Sequence, residues 1–177
     1  FYARRVSTAV YSIGFDGVYV LSPQEGLVSI RDVEWIEPLM VELRANLESS
    51  REIFVDGVDP ILGSDAMERL MSHADYIVIR SPIWLREIAS EEPRLGPEYI
   101  EQLRTVLEEL GDLRKSQILY SVNVMDFSSG WLIPAIQVQL QVDTFSSLIS
   151  RGYVIYFASR YIPYRLTLHS LASRSGA

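Results

Sequence analysis

Short runs of β-branched and aromatic residues alternate, over the first two-thirds of this chain, with segments whose apolar residues recur every three or four positions. Such alternation leaves few folds open. Parallel neighbouring strands need a crossover between them, and a helix is its usual form. The pattern opens with two expected strands, Val6–Ile13 and Gly17–Leu21, joined by the turn Gly14-Phe-Asp-Gly17 and stopped by Ser22-Pro23. Val33, Ile36, Leu39, Met40, Leu43 and Leu47 then keep helical spacing, and Pro38 is expected in the first turn, where a missing N–H is harmless. Ile53–Val55 reads as a short buried strand ending at Asp56-Gly57. Asp65 and Glu68 open a further helix as a capping-box-like pair, and Asp75–Arg80 is a strand closed again by Ser81-Pro82. Ile100, Leu103, Val106, Leu107 and Leu110 form the clearest helical stripe, entered through Pro97 and ended by Gly111. Gln117–Met125 follows as a strand.

The last third changes character. Ile136–Asp143 alternates apolar and polar residues strictly, the mark of a strand buried on one face. Tyr153–Ser159 and Arg165–Leu171 read as two more strands, turning at Tyr161–Tyr164. The expected fold is therefore α/β: a mixed sheet, largely parallel in its first two-thirds, with an antiparallel C-terminal edge. One domain over residues 1–177 accommodates it. The polar stretch 90–97, with two prolines and a glycine, is where an acidic α/β half (1–89) would divide from a helix-plus-β half (98–177). Asp-Gly-Val recurs at 16–18 and 56–58, and strand-Ser-Pro at 19–23 and 76–82, but the unequal spacings exclude an internal repeat.

Composition narrows the function classes. With 48% apolar residues in 177 and no cysteine, the chain is neither disordered nor a disulfide scaffold, and it has no thiolate site. No apolar run approaches the roughly 18 residues of a membrane span. The first residue is Phe1 and no signal-peptide pattern follows, so a preceding segment and a cytoplasmic location are expected. Fifteen arginines stand against Lys115 alone, a bias of composition. The net charge of −7 is unevenly spread: residues 1–112 hold ten arginines and 21 acids, whereas residues 113–177 hold six basic groups and two acids. Any contact with nucleic acid would fall in that last third, although the total charge makes this the weakest reading.

Ligands of parallel α/β sheets sit beyond the carboxyl ends of the strands. Those ends carry Asp56, Gly57 and Asp59, then Arg80 and Ser81, then Asn123 and Asp126. In Glu52-Ile-Phe-Val-Asp56 an acid directly follows a buried apolar strand, as does the aspartate that holds Mg²⁺ in P-loop NTPases. With the preceding helix and the Arg165-Leu-Thr-Leu168 ending, the chain resembles the RecA/KaiC-like branch of P-loop ATPases over 32–82 and 117–172. The resemblance implies a nucleotide and Mg²⁺ centred on Asp56 and Asp59. The family's G-x-x-x-x-G-K-[ST] loop is missing, however. The only lysine lies in Gly111-Asp-Leu-Arg-Lys-Ser116, where Arg114 and Glu109 stand in place of the two glycines. A degenerate, non-catalytic relative without a cofactor is expected.

Other chemistry is sparse. Asp56, Asp59 and Asp126 are candidate ligand or metal residues, and with Asp16 would make a carboxylate cluster if they converged. His73 and His169 have no partner at metal spacing. Ser128, Ser129, Ser146 and Ser147 lack a nucleophile frame. Tyr153, Tyr156, Tyr161 and Tyr164 crowd beside Arg151, Arg160 and Arg165, and Tyr and Arg are the residues enriched at interface hot spots. The leading expectation is an accessory or regulatory subunit, not an enzyme, that binds a protein partner or itself through these residues. The alternatives are a nucleotide- or Mg-dependent enzyme at Asp56/Asp59 and a nucleic-acid-binding module using the basic third.

Overall fold

The computed structural model describes residues 2–20, 27–80, 97–124 and 132–156. In chain order they form α1 (Tyr2–Ile13), β1 (Gly17–Val20), α2 (Ile30–Asn46), β2 (Glu52–Val58), a 3-10 turn (Pro60–Leu62) and α3 (Gly63–Met71). β3 (Tyr76–Ile79), α4 (Pro97–Lys115), β4 (Ile118–Asn123), α5 (Ala135–Ser146) and β5 (Tyr153–Tyr156) follow. The five strands make one sheet in the order β1-β2-β3-β4-β5, and every neighbouring pair is parallel. The α/β alternation is thus present. Among the described residues no antiparallel C-terminal edge is seen: β5 lies parallel to β4, with Tyr120 opposite Tyr153 and Asn123 opposite Tyr156. Arg165–Leu171 and the 90–96 stretch lie outside the described residues, while β3 and β4 on either side of that stretch pair directly.

Parallel register puts paired residues on the same face. Val18 aligns with Ile53; Val20 with Val55, Ile77 and Ile118; and Val58, past a slip in the register, with Ile79, Tyr120 and Tyr153. These residues form the core or, as Val18, Val20 and Tyr153 do, pack against it half-buried, and the core also takes Val10 of α1, Met40 and Leu43 of α2, Met67 and Leu70 of α3, Leu103 and Leu107 of α4, and Phe145 of α5. The helices therefore cover one face of the sheet. Sequential strands joined by crossovers of a single hand require this, and it is the arrangement of a (β/α) barrel wall. Gly17 is needed where β1 meets β2, because a Cβ there would stand 2.2 Å from the Glu52 carbonyl oxygen.

Several local expectations are overturned. Val6–Ile13 is helical, within α1. Its β-branched residues suggested a strand, but Ser7 and Val10 are buried while Thr8, Tyr11 and Ser12 are exposed, a helical and not an alternating pattern. α2 begins at Ile30 and keeps Pro38 in its interior. A mid-helix proline costs about 3 kcal/mol, and burial of Val33, Met40 and Leu43 on one stripe, at roughly 1.5–3 kcal/mol each, outweighs it. α3 starts at Gly63, two residues before Asp65, so Asp65 and Glu68 are not a cap. Gly111 interrupts α4 as expected, at φ 70°, and a last turn to Lys115 follows.

The largest correction is at Ile136–Asp143, which is not a strand but lies in α5. Its buried residues are Gln137, Gln141 and Phe145, spaced by four. The Gln141 side chain donates from Nε2 to the Asn123 carbonyl at 2.9 Å and accepts from the Asn123 N–H at 2.8 Å. Two paired glutamine contacts make an inward polar position stable, which alternation of polarity could not announce.

The start of α2 is held by charge. Ser29 donates from both its N–H and its Oγ to the Asp32 carboxylate, each at 2.8 Å. The Ser29 hydroxyl first, then the backbone donors, hold the Asp32 carboxyl below its ordinary 3.8. A lowered folded-state pKa contributes stability above the ordinary carboxylate range, and that contribution is lost as pH falls through the folded value. Glu37, lowered chiefly by its hydrogen bond from Arg69, acts in the same direction.

Two outcomes follow. Gln141→Leu strands the Asn123 N–H and C=O and should lower stability in urea titration by about 2–4 kcal/mol. Between about pH 5 and about pH 3 the urea midpoint should fall with pH, and Asp32→Asn should flatten that slope; an unchanged slope would refute the cap's role.

Candidate functional site at the carboxyl ends of the strands

The residues between those of the helix-packed face point to the other side of the sheet. Nearest the amino ends, Tyr19, Phe54 and Tyr76 align and stack, with centroids 5.9 and 4.9 Å apart. Arg151 extends this row: its guanidinium lies 5.6 Å from the Tyr76 ring centre and donates to the Tyr76 hydroxyl at 2.9 Å. Two residues further along each strand, about 6.6 Å higher at strand rise, Asp56 aligns with Val78 and Leu119. Ser121 aligns with Val154, and Asn123 with Tyr156. Arg80 follows Ile79, the partner of Tyr120, so it stands level with Ser121. Polar groups thus lie above an aromatic floor, at the carboxyl ends.

The bend that ends β2 shapes this rim. Asp56 lies within β2 and not after it, and the register slips between Asp56 and Val58, at Gly57 with φ 73°. The Leu27 N–H donates to the Gly57 carbonyl at 2.8 Å, and the Arg80 N–H donates to the Val58 carbonyl at 3.0 Å. Asp59 then turns away from Asp56: its carboxylate accepts from the Ile61 N–H at 2.9 Å, capping the 3-10 turn. Tyr99 of α4 donates its hydroxyl to the Arg80 carbonyl at 2.7 Å, tying helix to rim. Burial, and next the Asp59 charge, push that phenol far above its ordinary value, and burial pushes Tyr120 up to about 12.

Of the expected site residues, Asp56, Arg80 and Asn123 are brought to the face away from the helices, half-buried, while Ser121 on the same face is buried at 1% exposure. Asp59 is committed to its turn, and Asp126 lies outside the described residues. Asp16 stands at the opposite, amino end of the sheet, 3.6 Å from Arg51. Among the described residues no three His, Cys, Asp or Glu side chains gather as a metal site. Lys115 is also at the amino end, 3.1 Å from Asp112, and His73 sits 3.9 Å from Glu37 on the helical layer.

Of the Tyr/Arg cluster, Tyr153 packs on the core with its ring 5.4 Å from Tyr120, and Arg151 is bound to Tyr76. Tyr156 ends β5; Arg160, Tyr161, Tyr164 and Arg165 lie outside the described residues. An open depression of about 620 Å³ between α1 and α2, lined by Arg4, Arg5, Thr8 and Glu42, is on the outer helical layer. The i, i+2 series Phe54–Asp56, Tyr76–Val78–Arg80 and Leu119–Ser121–Asn123 was the sequence signal for this face.

A raised phenol pKa means the folded state resists ionisation, so stability present below about pH 10 is lost as pH rises toward the folded value. Absorbance titration should therefore show Tyr99 and Tyr120 ionising only with alkaline unfolding. Tyr99→Phe should leave the number of tyrosines that ionise below about pH 11 unchanged; one fewer would show Tyr99 to be freely titrating.

The chain matches no protein-family model, and no curated protein is similar to it.

Proposed function

We propose that this chain binds a small polar molecule at the carboxyl ends of its strands, with Asp56 as the anchoring carboxylate and Arg80 and Asn123 beside it. The observation that carries this reading is the shared face: one carboxylate, one guanidinium and one carboxamide, all half-buried, lie on the same side of the sheet toward the carboxyl ends, beyond a row of stacked aromatic rings. Sheets with sequential parallel strands and one-sided helices use this end for ligands, because strand ends and the loops after them converge there. The described strands show no reversal of order, so a switch-point crevice of the doubly wound kind is not the place to look. Docking of a protein partner through the Tyr/Arg cluster has less support, since Tyr153 is taken up by the core and Arg151 by Tyr76.

Backbone amide shifts in two-dimensional NMR test the reading, with D-glucose, inorganic phosphate and Mg-ATP titrated separately. Mg-ATP is the ligand that the RecA/KaiC-like resemblance implies. At least one probe should shift Asp56, Gly57, Arg80 and Asn123, and Asp56→Asn should weaken its binding about tenfold, which corresponds to 1.4 kcal/mol. Shifts confined to Arg4, Arg5 and Thr8, or none at all, would overturn it.

A further inference from the structure

Gln137 and Gln141 lie on one face of α5, a turn apart, and both are buried, at 4% and 0% exposure. Their amides differ. Gln141 is satisfied at both ends by the Asn123 backbone. The Gln137 Oε1 is buried and has no hydrogen-bond donor. Such an orphaned acceptor is rare in a native core, because burial without a donor forfeits its bonds to water.

Its position is informative. α5 runs back along the sheet from the carboxyl ends, and Gln141 reaches the last residue of β4, Asn123. Gln137 is one turn nearer the start of the helix, about 6 Å beyond that level. Helical side chains lean toward the N-terminus, which carries the carboxamide over the first turn of α5 and beyond the end of β4. In that turn the Gln137 and Val138 N–H groups donate to the Pro134 carbonyl at 2.9 and 3.2 Å, which leaves the N–H groups of Ala135 and Ile136 at the positive end of the helix dipole. An acceptor oxygen beside N–H donors matches a group that both donates and accepts, which is a hydroxyl. A fully deprotonated anion, such as sulfate, would meet the Gln137 oxygen with no proton to give it, and a partly protonated one, such as phosphate, would bring a charge that a neutral hydroxyl does not.

We infer that Gln137 Oε1 is the acceptor for a hydroxyl of a neutral, hydroxyl-bearing ligand held at the α5 N-terminus. This inference rests on the proposed site at the strand ends and names the ligand class for it.

The test follows the Gln137 side-chain amide in the intact chain while D-glucose or inorganic phosphate is added. Glucose should move the Gln137 Nε2 proton pair together with the Asp56 and Asn123 amides. Gln137→Leu should weaken glucose binding about tenfold with a melting temperature equal to or above that of the parent, since no hydrogen bond is removed. The wild-type side-chain shift decides the matter should that variant fail to fold. If glucose shifts Asp56 and Asn123 but leaves the Gln137 amide and the Gln137→Leu affinity unchanged, this inference falls and the strand-end site stands. If phosphate, and not glucose, moves the Gln137 amide, the ligand class is wrong. Silence of the whole rim toward every probe overturns both.

Discussion

Parallel pairing of strands in chain order is the constraint on which the rest of this structure depends. Each strand must start at the same end of the sheet as its predecessor, so the chain returns between every pair, and crossovers of one hand return over one face. Register then divides every strand by alternate residues. One set, Ile53, Val55, Ile77, Ile79, Ile118, Tyr120 and Val122, meets the helices. The other set lies on the opposite face and carries Tyr19, Phe54, Tyr76, Asp56, Ser121 and Asn123. A slip of one residue would exchange the two sets and bury Asp56 under α2 and α3. Close contact of Gly17 with Glu52 helps to hold β1 in place.

The amino end of the sheet is fastened by a different device. Asp75, just before β3, accepts from the Ile53 N–H at 2.7 Å and is paired with Arg44 of α2, which also donates to the Arg51 carbonyl at 3.2 Å. One carboxylate therefore ties α2, the start of β2 and the start of β3. Gln117 adds contacts to the Ala74 and Asp75 carbonyls at 3.4 Å, linking β4 to the same point. Side chains at this end satisfy main-chain groups. At the other end Asp32, Asp59, Tyr99 and Gln141 are used in that way, and Asp56, Arg80 and Asn123 lie on the sheet face away from the helices.

Which parts were legible in the sequence follows from what each residue type can be read for. β2, β3 and β4 are dense in Ile, Val and Tyr, and α4 combines an unbroken apolar stripe with Pro97 and Gly111 at its breaks; local preference and tertiary burial agree there. They disagree elsewhere. α1 contains Val6, Thr8, Val10 and Ile13, residues of strand preference that pack as a helix against α2. α5 alternates like a strand because its inward stripe includes two glutamines, and polarity is a poor guide to burial when a backbone partner waits inside. Asp56, Arg80 and Asn123 were visible as residues at strand ends. Their company, Ser121 and the aromatic floor, needed the register, which is a property of pairs of strands and not of any one segment.

The uneven charge along the chain also finds a physical reading in the fold. Helices that return over a parallel sheet place their C-termini at the amino ends of the strands, and their N-termini at the carboxyl ends. The macrodipole favours cations at the former and acids at the latter. Arg44 closes α2, Arg69 closes α3, and Arg114 and Lys115 close α4, whereas Asp32, Asp65 and Glu98 sit in the first turns. Arg151, before β5, joins the cations at the amino end. The basic residues of the last third that the structure describes are thus divided between helix ends and an aromatic contact: Lys115 with Asp112, Arg114 with Gln117, Arg151 with Tyr76. At the carboxyl ends the helix N-termini contribute partial positive charge that Asp32, Asp65 and Glu98 offset, and Asp56 and Arg80 add one charge of each sign on the face away from the helices. A neutral ligand rich in oxygen suits that balance, because it accepts from helix N–H groups and donates to Asp56 without bringing a charge of its own.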